Sequence, residues 1–133
     1  MGAFKVTDLP KGRKRVGSRW VFNVKYTPTG LIDKFKVRLV AKGFGQTYGA
    51  DYTDTFSPTI KMDSLRALLA IAAANNWSIE QMDVVSAYLA GVLDEDIYME
   101  PPDGYGLPKG ATVQVIKALY GLKQSGRVWY KKI

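Results

Sequence analysis

Two alternating runs around a short turn constrain this chain more than anything else in it. Residues 20–26 place Trp20, Phe22, Val24 and Tyr26 at every second position, against Val21, Asn23 and Lys25. Residues 31–41 alternate again, with Phe35, Val37 and Leu39 on one side and Lys34, Lys36 and Arg38 on the other. Period two belongs to a strand, because successive side chains point to opposite faces. Between the runs, Thr27-Pro28-Thr29-Gly30 has turn chemistry: Pro presets the backbone at its second position and Gly suits its last. The spacing predicts an antiparallel hairpin with one cationic face, Lys42 lying just beyond it. Cations at period two can grip a triphosphate or a nucleic-acid backbone; a merely solvated strand face carries the same pattern.

Elsewhere the pattern is mixed, which predicts an α+β domain of 133 residues with one modest core. Residues 1–18 are polar and basic with Pro10, Gly12 and Gly17 as breakers, so they read as an arm or loop. Residues 43–58 read as a loop. Asp63 or Ser64 is the expected cap of a helix over residues 64–76. Its Leu65, Leu68, Leu69 and Ala72 are expected to pack on a strand around Met82, within a strand region at 77–84. A short helical turn over 86–91, ended by Gly91, follows. Strands are predicted at 97–99 and 113–119, and a helix from Gln124 onward. That last helix stops soon after the apolar Trp129 and Tyr130, which reads as a cut inside a core-facing element.

The chain has neither cysteine nor histidine. Disulfides, thiolate or imidazole metal sites and His-activated nucleophiles are therefore excluded. A metal would need oxygen ligands, which favours magnesium, manganese or calcium. Charge is uneven: residues 1–50 hold eleven Lys and Arg against Asp8 and Asp33, a net +9, while residues 51–133 hold eight against ten, a net −2. A basic half attracts polyanions and an acidic half can hold cations, which points to nucleic-acid or nucleotide chemistry. No run of about 18 apolar residues spans a membrane, and no secretory signal opens the chain, so an intracellular location, cytoplasmic or nuclear, is expected.

Three further patterns bear on chemistry. In Gln81-Met82-Asp83-Val84-Val85-Ser86-Ala87-Tyr88, a carboxylate ends an apolar run just before a tight turn. One carboxylate oxygen of Asp83 and the Val84 carbonyl suit a divalent ion there; a strand-end Asp capping a helix gives the same pattern. Leu119-Tyr120-Gly121-Leu122-Lys123-Gln124, with Arg127 beyond, offers donors to phosphate or base beside a glycine that permits close approach. An ordinary strand-to-helix turn looks alike. Asp94-Glu95-Asp96 looks like a metal cluster, but reads better as a solvated acidic turn.

In order, these segments resemble the reverse transcriptase of copia-type retrotransposons, an RNA-dependent DNA polymerase. The matching stretches are 16–22, 36–44, Asp51-Tyr52 with 55–58, Gln81-Met82-Asp83-Val84, Ala87-Tyr88-Leu89, 97–100 and 119–124. The resemblance runs from about Phe4 to Tyr130. It implies a right-hand polymerase layout, with about 1–60 fingers-like and about 61–133 a partial palm carrying an incomplete antiparallel sheet. It implies Asp83 as the first catalytic aspartate, with the Val84 carbonyl as a second metal contact. Arg38 matches the arginine that meets the incoming triphosphate, with Lys36 or Lys34 beside it. Tyr88 matches the aromatic gate against a ribose 2′-hydroxyl, and Gln124 a nucleotide contact. Lys34, Lys42, Lys123 and Arg127 are then expected on RNA or DNA template-primer, and magnesium as the cofactor of the complete enzyme.

Two departures stand out. Ala90 occupies the place where the family usually has Asn, and the family's Tyr-Val-Asp-Asp turn has no match. A two-metal transfer needs carboxylates that hold both ions about 4 Å apart. The chain alone is therefore expected to be catalytically inactive, and its unpaired palm edge to promote self-association. A co-opted nucleic-acid-binding module without catalysis is the alternative, and recruitment of Asp94 or Asp96 as the missing carboxylate is a third reading.

Overall fold

The computed structural model describes residues 2–133, which form a mixed α+β structure. In chain order the elements are β1 (Phe4–Thr7), β2 (Arg15–Val16), β3 (Ser18–Tyr26), β4 (Ile32–Ala41), α1 (Met62–Ala74), β5 (Val92–Met99), β6 (Thr112–Lys117) and α2 (Ser125–Lys132). Short 3₁₀ turns sit at Gly43–Gly45 and Ala87–Ala90.

The core lies on a four-stranded sheet in the order β1-β6-β5-β2. β5 and β6 pair antiparallel, Ile97 opposite Val115 and Met99 opposite Val113, and all four side chains are buried. Val16, Ala41, Leu119 and Leu122 complete the cluster. The first 18 residues are therefore not a free arm. β1 pairs antiparallel with β6, and β2 pairs parallel with β5. Arginine donors replace long ladders here: Arg15 donates to the carbonyls of Gly110 (2.6 Å) and Ala111 (3.2 Å). Arg13 donates to the Asp96 carbonyl and pairs with Asp51 at 3.3 Å. Strands of four and two residues are too short for periodicity to reveal.

The hairpin forms as its pattern dictates. β3 and β4 pair antiparallel from Ser18–Ala41 to Tyr26–Ile32, and Gly30 closes the turn with φ +83° and a 2.9 Å bond from its N–H to the Thr27 carbonyl. Its base is anchored to the rest of the chain. Ala41 N–H donates to the Tyr120 carbonyl (2.8 Å), Lys42 N–H to the Gly17 carbonyl (2.8 Å) and the Trp20 indole to the Asp103 carbonyl (2.9 Å). The tip stands clear, with Phe22 and Phe35 each 74% exposed.

The middle of the chain departs most from expectation. α1 starts at Met62, two residues early, with Lys61 at the cap position and no side-chain cap bond; Asp63 lies inside the first turn and Ser64 within the helix. Asn76 ends it in the left-handed region (φ +52°), and Trp77 N–H reaches back to the Ala72 carbonyl at 2.9 Å. Residues 77–84 form no strand. The expected packing is absent as well: Leu68 is 53% exposed and Met82 90%, while Leu65 is half-buried and only Ala72 is buried. A strand needs a neighbour to take its backbone hydrogen bonds, and segment 77–84 has none among the described residues; without that strand α1 has no sheet to cover. Asp94-Glu95-Asp96 is also not a loop. It lies inside β5, where the pairing register shifts between Val92 and Ile97.

Candidate functional site

Three elements converge where the hairpin meets the core. Val40 bridges Tyr120 in parallel, and the chain crosses itself closely at two glycines. A Cβ on Gly43 would overlap the Gly121 carbonyl oxygen, and one on Gly121, at φ +89°, would overlap the Ala41 carbonyl oxygen. This crossing delivers Tyr120 beneath β4. The Arg38 guanidinium lies over the Tyr120 ring at 5.3 Å, and the Tyr88 ring meets the same ring at 4.8 Å and 58°. Arg38 and Tyr88, 50 positions apart in sequence, are thus neighbours through a third aromatic. Both are half-buried.

Tyr88 rides on the 3₁₀ turn Ala87–Ala90, which α2 packs against. Gly91 makes this possible, since a Cβ there would overlap Val128. The turn closes with Ala90 in place, Gly91 N–H reaching the Tyr88 carbonyl at 3.0 Å. Ser86, just before it, holds a left-handed backbone (φ +55°), an unusual conformation for a residue with a side chain. Asp83 and Val84 precede it in the irregular, exposed segment.

Register adds cations that alternation within one strand did not show. Val21 faces Arg38, Asn23 faces Lys36 and Lys25 faces Lys34, so Arg19 and Lys25 share the face of Lys34, Lys36 and Arg38. Like charges placed directly opposite repel, so Lys25 and Lys34 raise the energy of this face, an effect that Asp33, 3.9 Å from the Lys34 ammonium, offsets in part and a bound anion would offset further. The pairing offset was the missing signal; it follows from the turn length.

The 119–124 segment divides by burial. Gln124 is 1% exposed, and both its amide oxygen and its amide nitrogen bond inside the protein. Its Oε1 accepts from Gln46 Nε2 (3.0 Å), and its Nε2 donates to the Asp51 carbonyl (2.8 Å) and to Glu95 (3.3 Å). Gln46 in turn accepts from the Lys123 N–H (2.8 Å). Asp51 accepts from the Thr47 N–H (2.7 Å). Lys123 extends outward over the Tyr52 ring at 4.7 Å. Lys42 is exposed, and its methylenes cover Gly17. Arg127 pairs with Asp54 at 2.9 Å. The Phe56 N–H holds the Asp54 carboxyl below its ordinary value, against an opposing effect of desolvation and with a lesser contribution from the Arg127 guanidinium.

A family model described as reverse transcriptase (RNA-dependent DNA polymerase) matches residues 1–133. The chain belongs to this family. Among similar proteins is the retrovirus-related Pol polyprotein from transposon TNT 1-94 of Nicotiana tabacum, 43% identical over 133 residues, covering 98% of this chain and 10% of that protein. The corresponding polyproteins from transposons RE1 and RE2 of Arabidopsis thaliana are 46% and 44% identical over 121 residues, covering 89% of this chain and 8% of each. The chain thus spans about a tenth of the length of the curated relatives it matches. It corresponds to a stretch of the reverse transcriptase of copia-type retrotransposon polyproteins. No solved structure matches it significantly.

Reverse transcriptases act on a nucleic-acid template and use divalent metal. The residues here do not make a metal site by themselves. Asp83 and the Val84 carbonyl are two donors in an exposed segment, and no group of three or more acidic side chains comes together among the described residues. A magnesium ion takes near-octahedral oxygen coordination and gives up its waters reluctantly, so a single carboxylate holds it weakly. No described helix is long and apolar enough to cross a membrane.

Proposed function

We propose that this chain supplies the fingers, about residues 1–60, and the first part of the palm, about 61–133, of an RNA-directed DNA polymerase. The observation that carries the reading is the meeting of Arg38 and Tyr88 on Tyr120, at the base of a hairpin whose cationic face bears Lys34 and Lys36. By family resemblance Arg38 and Lys36 meet the triphosphate of a deoxynucleotide, Tyr88 meets its sugar, and Asp83 with the Val84 carbonyl contributes to a magnesium site. Template-primer then lies along Lys34 and Lys42, with Lys123 at the neighbouring rim. Gln124 supports this surface from within, because it is buried and both of its amide N–H donors are engaged inside the protein. Arg127 reaches phosphate only by giving up Asp54.

The reaction needs more than these residues hold. The sequence contains no Asp-Asp pair, so the 133-residue chain supplies one of the carboxylates that fix two ions, and no step through the metal follows from it. Primer extension tests the reading. The purified chain is expected to extend no primer at any magnesium concentration. A polypeptide carrying the family's Tyr-Val-Asp-Asp turn, added in trans, is expected to restore extension. Asp83→Asn should then lower it by roughly a hundredfold or more, with nucleic-acid binding nearly unchanged. Extension by the chain alone would overturn the incompleteness of the site; restored extension that survives Asp83→Asn would overturn the role of Asp83. Binding of template-primer without any restored extension would instead favour the catalysis-free binding module.

A further inference from the structure

We infer that Tyr120 is a positioning residue for the nucleotide: its ring holds the Arg38 guanidinium (5.3 Å) and the Tyr88 ring (4.8 Å), fixing the group for the triphosphate relative to the group for the sugar. This rests on the proposed function and assigns a role to a residue that the resemblance names only as part of a motif. Arginine is long and loses rotamer freedom when it grips a phosphate, so a guanidinium already lying on an aromatic plate binds with less to lose. The plate itself is fixed from the backbone outward. The Tyr120 carbonyl accepts from the Ala41 N–H at 2.8 Å, and the Leu119 carbonyl before it accepts from Ser125 Oγ at 2.5 Å. Gly121 after it keeps φ +89°, where the approach of Ala41 leaves no room for a side chain. The buried Gln46–Gln124 pair locks the next turn, through the Lys123 N–H. Tyr120 is therefore the fixed member of the trio, while Arg38 and Tyr88 reach it from a hairpin strand and from a 3₁₀ turn. A ring acting merely as packing would leave anion affinity untouched apart from general loosening of the fold.

The test uses the 133-residue chain and inorganic tripolyphosphate as the probe. In the unaltered chain, NMR should show the Arg38 side-chain protons shifted upfield by the ring beneath them, and a Tyr88–Tyr120 ring contact; this readout needs no variant, and its absence overturns the proposal. Tripolyphosphate should bind and perturb Arg38. Tyr120→Phe should keep the affinity, and Tyr120→Leu should weaken it roughly two- to fivefold. In an Arg38→Ala background, Tyr120→Leu should add no further loss, because the ring acts through the guanidinium. Unchanged affinity in Tyr120→Leu, or an equal loss in both backgrounds, refutes the positioning role while leaving the nucleotide site standing. No perturbation of Arg38 by tripolyphosphate in the parent chain refutes both.

Discussion

Single residues in this protein carry roles that their types do not announce. Gln124 sits in a motif of polar residues and reads as a ligand contact, yet it is a buried clamp between the 43–52 loop and α2. Gln124→Ala removes one acceptor and two donated bonds, leaving Gln46 Nε2 and the Asp51 carbonyl without their partner in the interior. A loss of about 2–4 kcal/mol is expected in urea unfolding, against about 0.5 kcal/mol for Lys123→Ala one position earlier. Asp54 gives a pH signature. Its carboxyl titrates below the ordinary 3.8 in the folded chain, chiefly through the Phe56 N–H and then Arg127. Folding therefore favours its ionised form. The stability this adds is present above the ordinary carboxylate value and disappears as pH falls through the lower folded value. The stability difference between the parent and Asp54→Asn should accordingly shrink in unfolding curves taken from about pH 7 to about pH 3. A difference that grows on acidification would contradict the sign.

At the scale of elements, the hairpin is the part whose sequence and structure agree most closely. Alternation predicts its two faces, the Thr27–Gly30 turn fixes the register, and the register brings Arg19 and Lys25 onto the face of Lys34, Lys36 and Arg38. Each phosphate neutralised by such a cation releases counterions, so affinity for template-primer should fall steeply with salt. Replacing Lys34, Lys36 and Arg38 by Ala should reduce the slope of log affinity against log salt by about one to three units. Adding Lys25→Ala should reduce it further if the opposed pair shares an anion. Filter binding with an unchanged slope would take this face out of the interface. α1 is the contrasting element. Its helix-forming run of Leu and Ala needs only local bonds, so it forms, but Leu68 and Leu69 remain open.

Across the whole molecule, large apolar side chains face solvent on the hairpin tip, on α1 and along 77–85, where Met82 and Val85 are 90% and 89% exposed. Patches of this kind favour association. Sedimentation equilibrium should show oligomers forming with rising concentration. Phe35→Glu should weaken association by roughly tenfold, since it places a charge where an apolar contact would form. A well-behaved monomer at high concentration would contradict this.

What the sequence by itself determined is the local and the periodic: the hairpin, its turn and cationic face, the existence of α1 and α2, the turn at Ala87–Ala90 and the strand that becomes β6. Each depends on spacing within a dozen or so residues, which side-chain alternation and helical repeat report directly. The ordered motifs likewise carried the family, because composition and order survive without coordinates. Tertiary structure alone decided the rest. β1 and β2 exist because β6 and β5 offer them edges and the arginines find distant carbonyls. Segment 77–84, written like a strand, stays irregular because a strand is defined by its neighbour and it has none among the described residues. Asp94, Glu95 and Asp96 fall inside β5 because the residues that flank them, Val92 and Ile97, both pair with β6 across the register shift. The Arg38–Tyr120–Tyr88 contact, and the change of Gln124 from surface donor to buried clamp, depend on one close crossing of glycine backbones. That crossing joins residues about 80 positions apart, a distance at which no periodic pattern in the chain carries information.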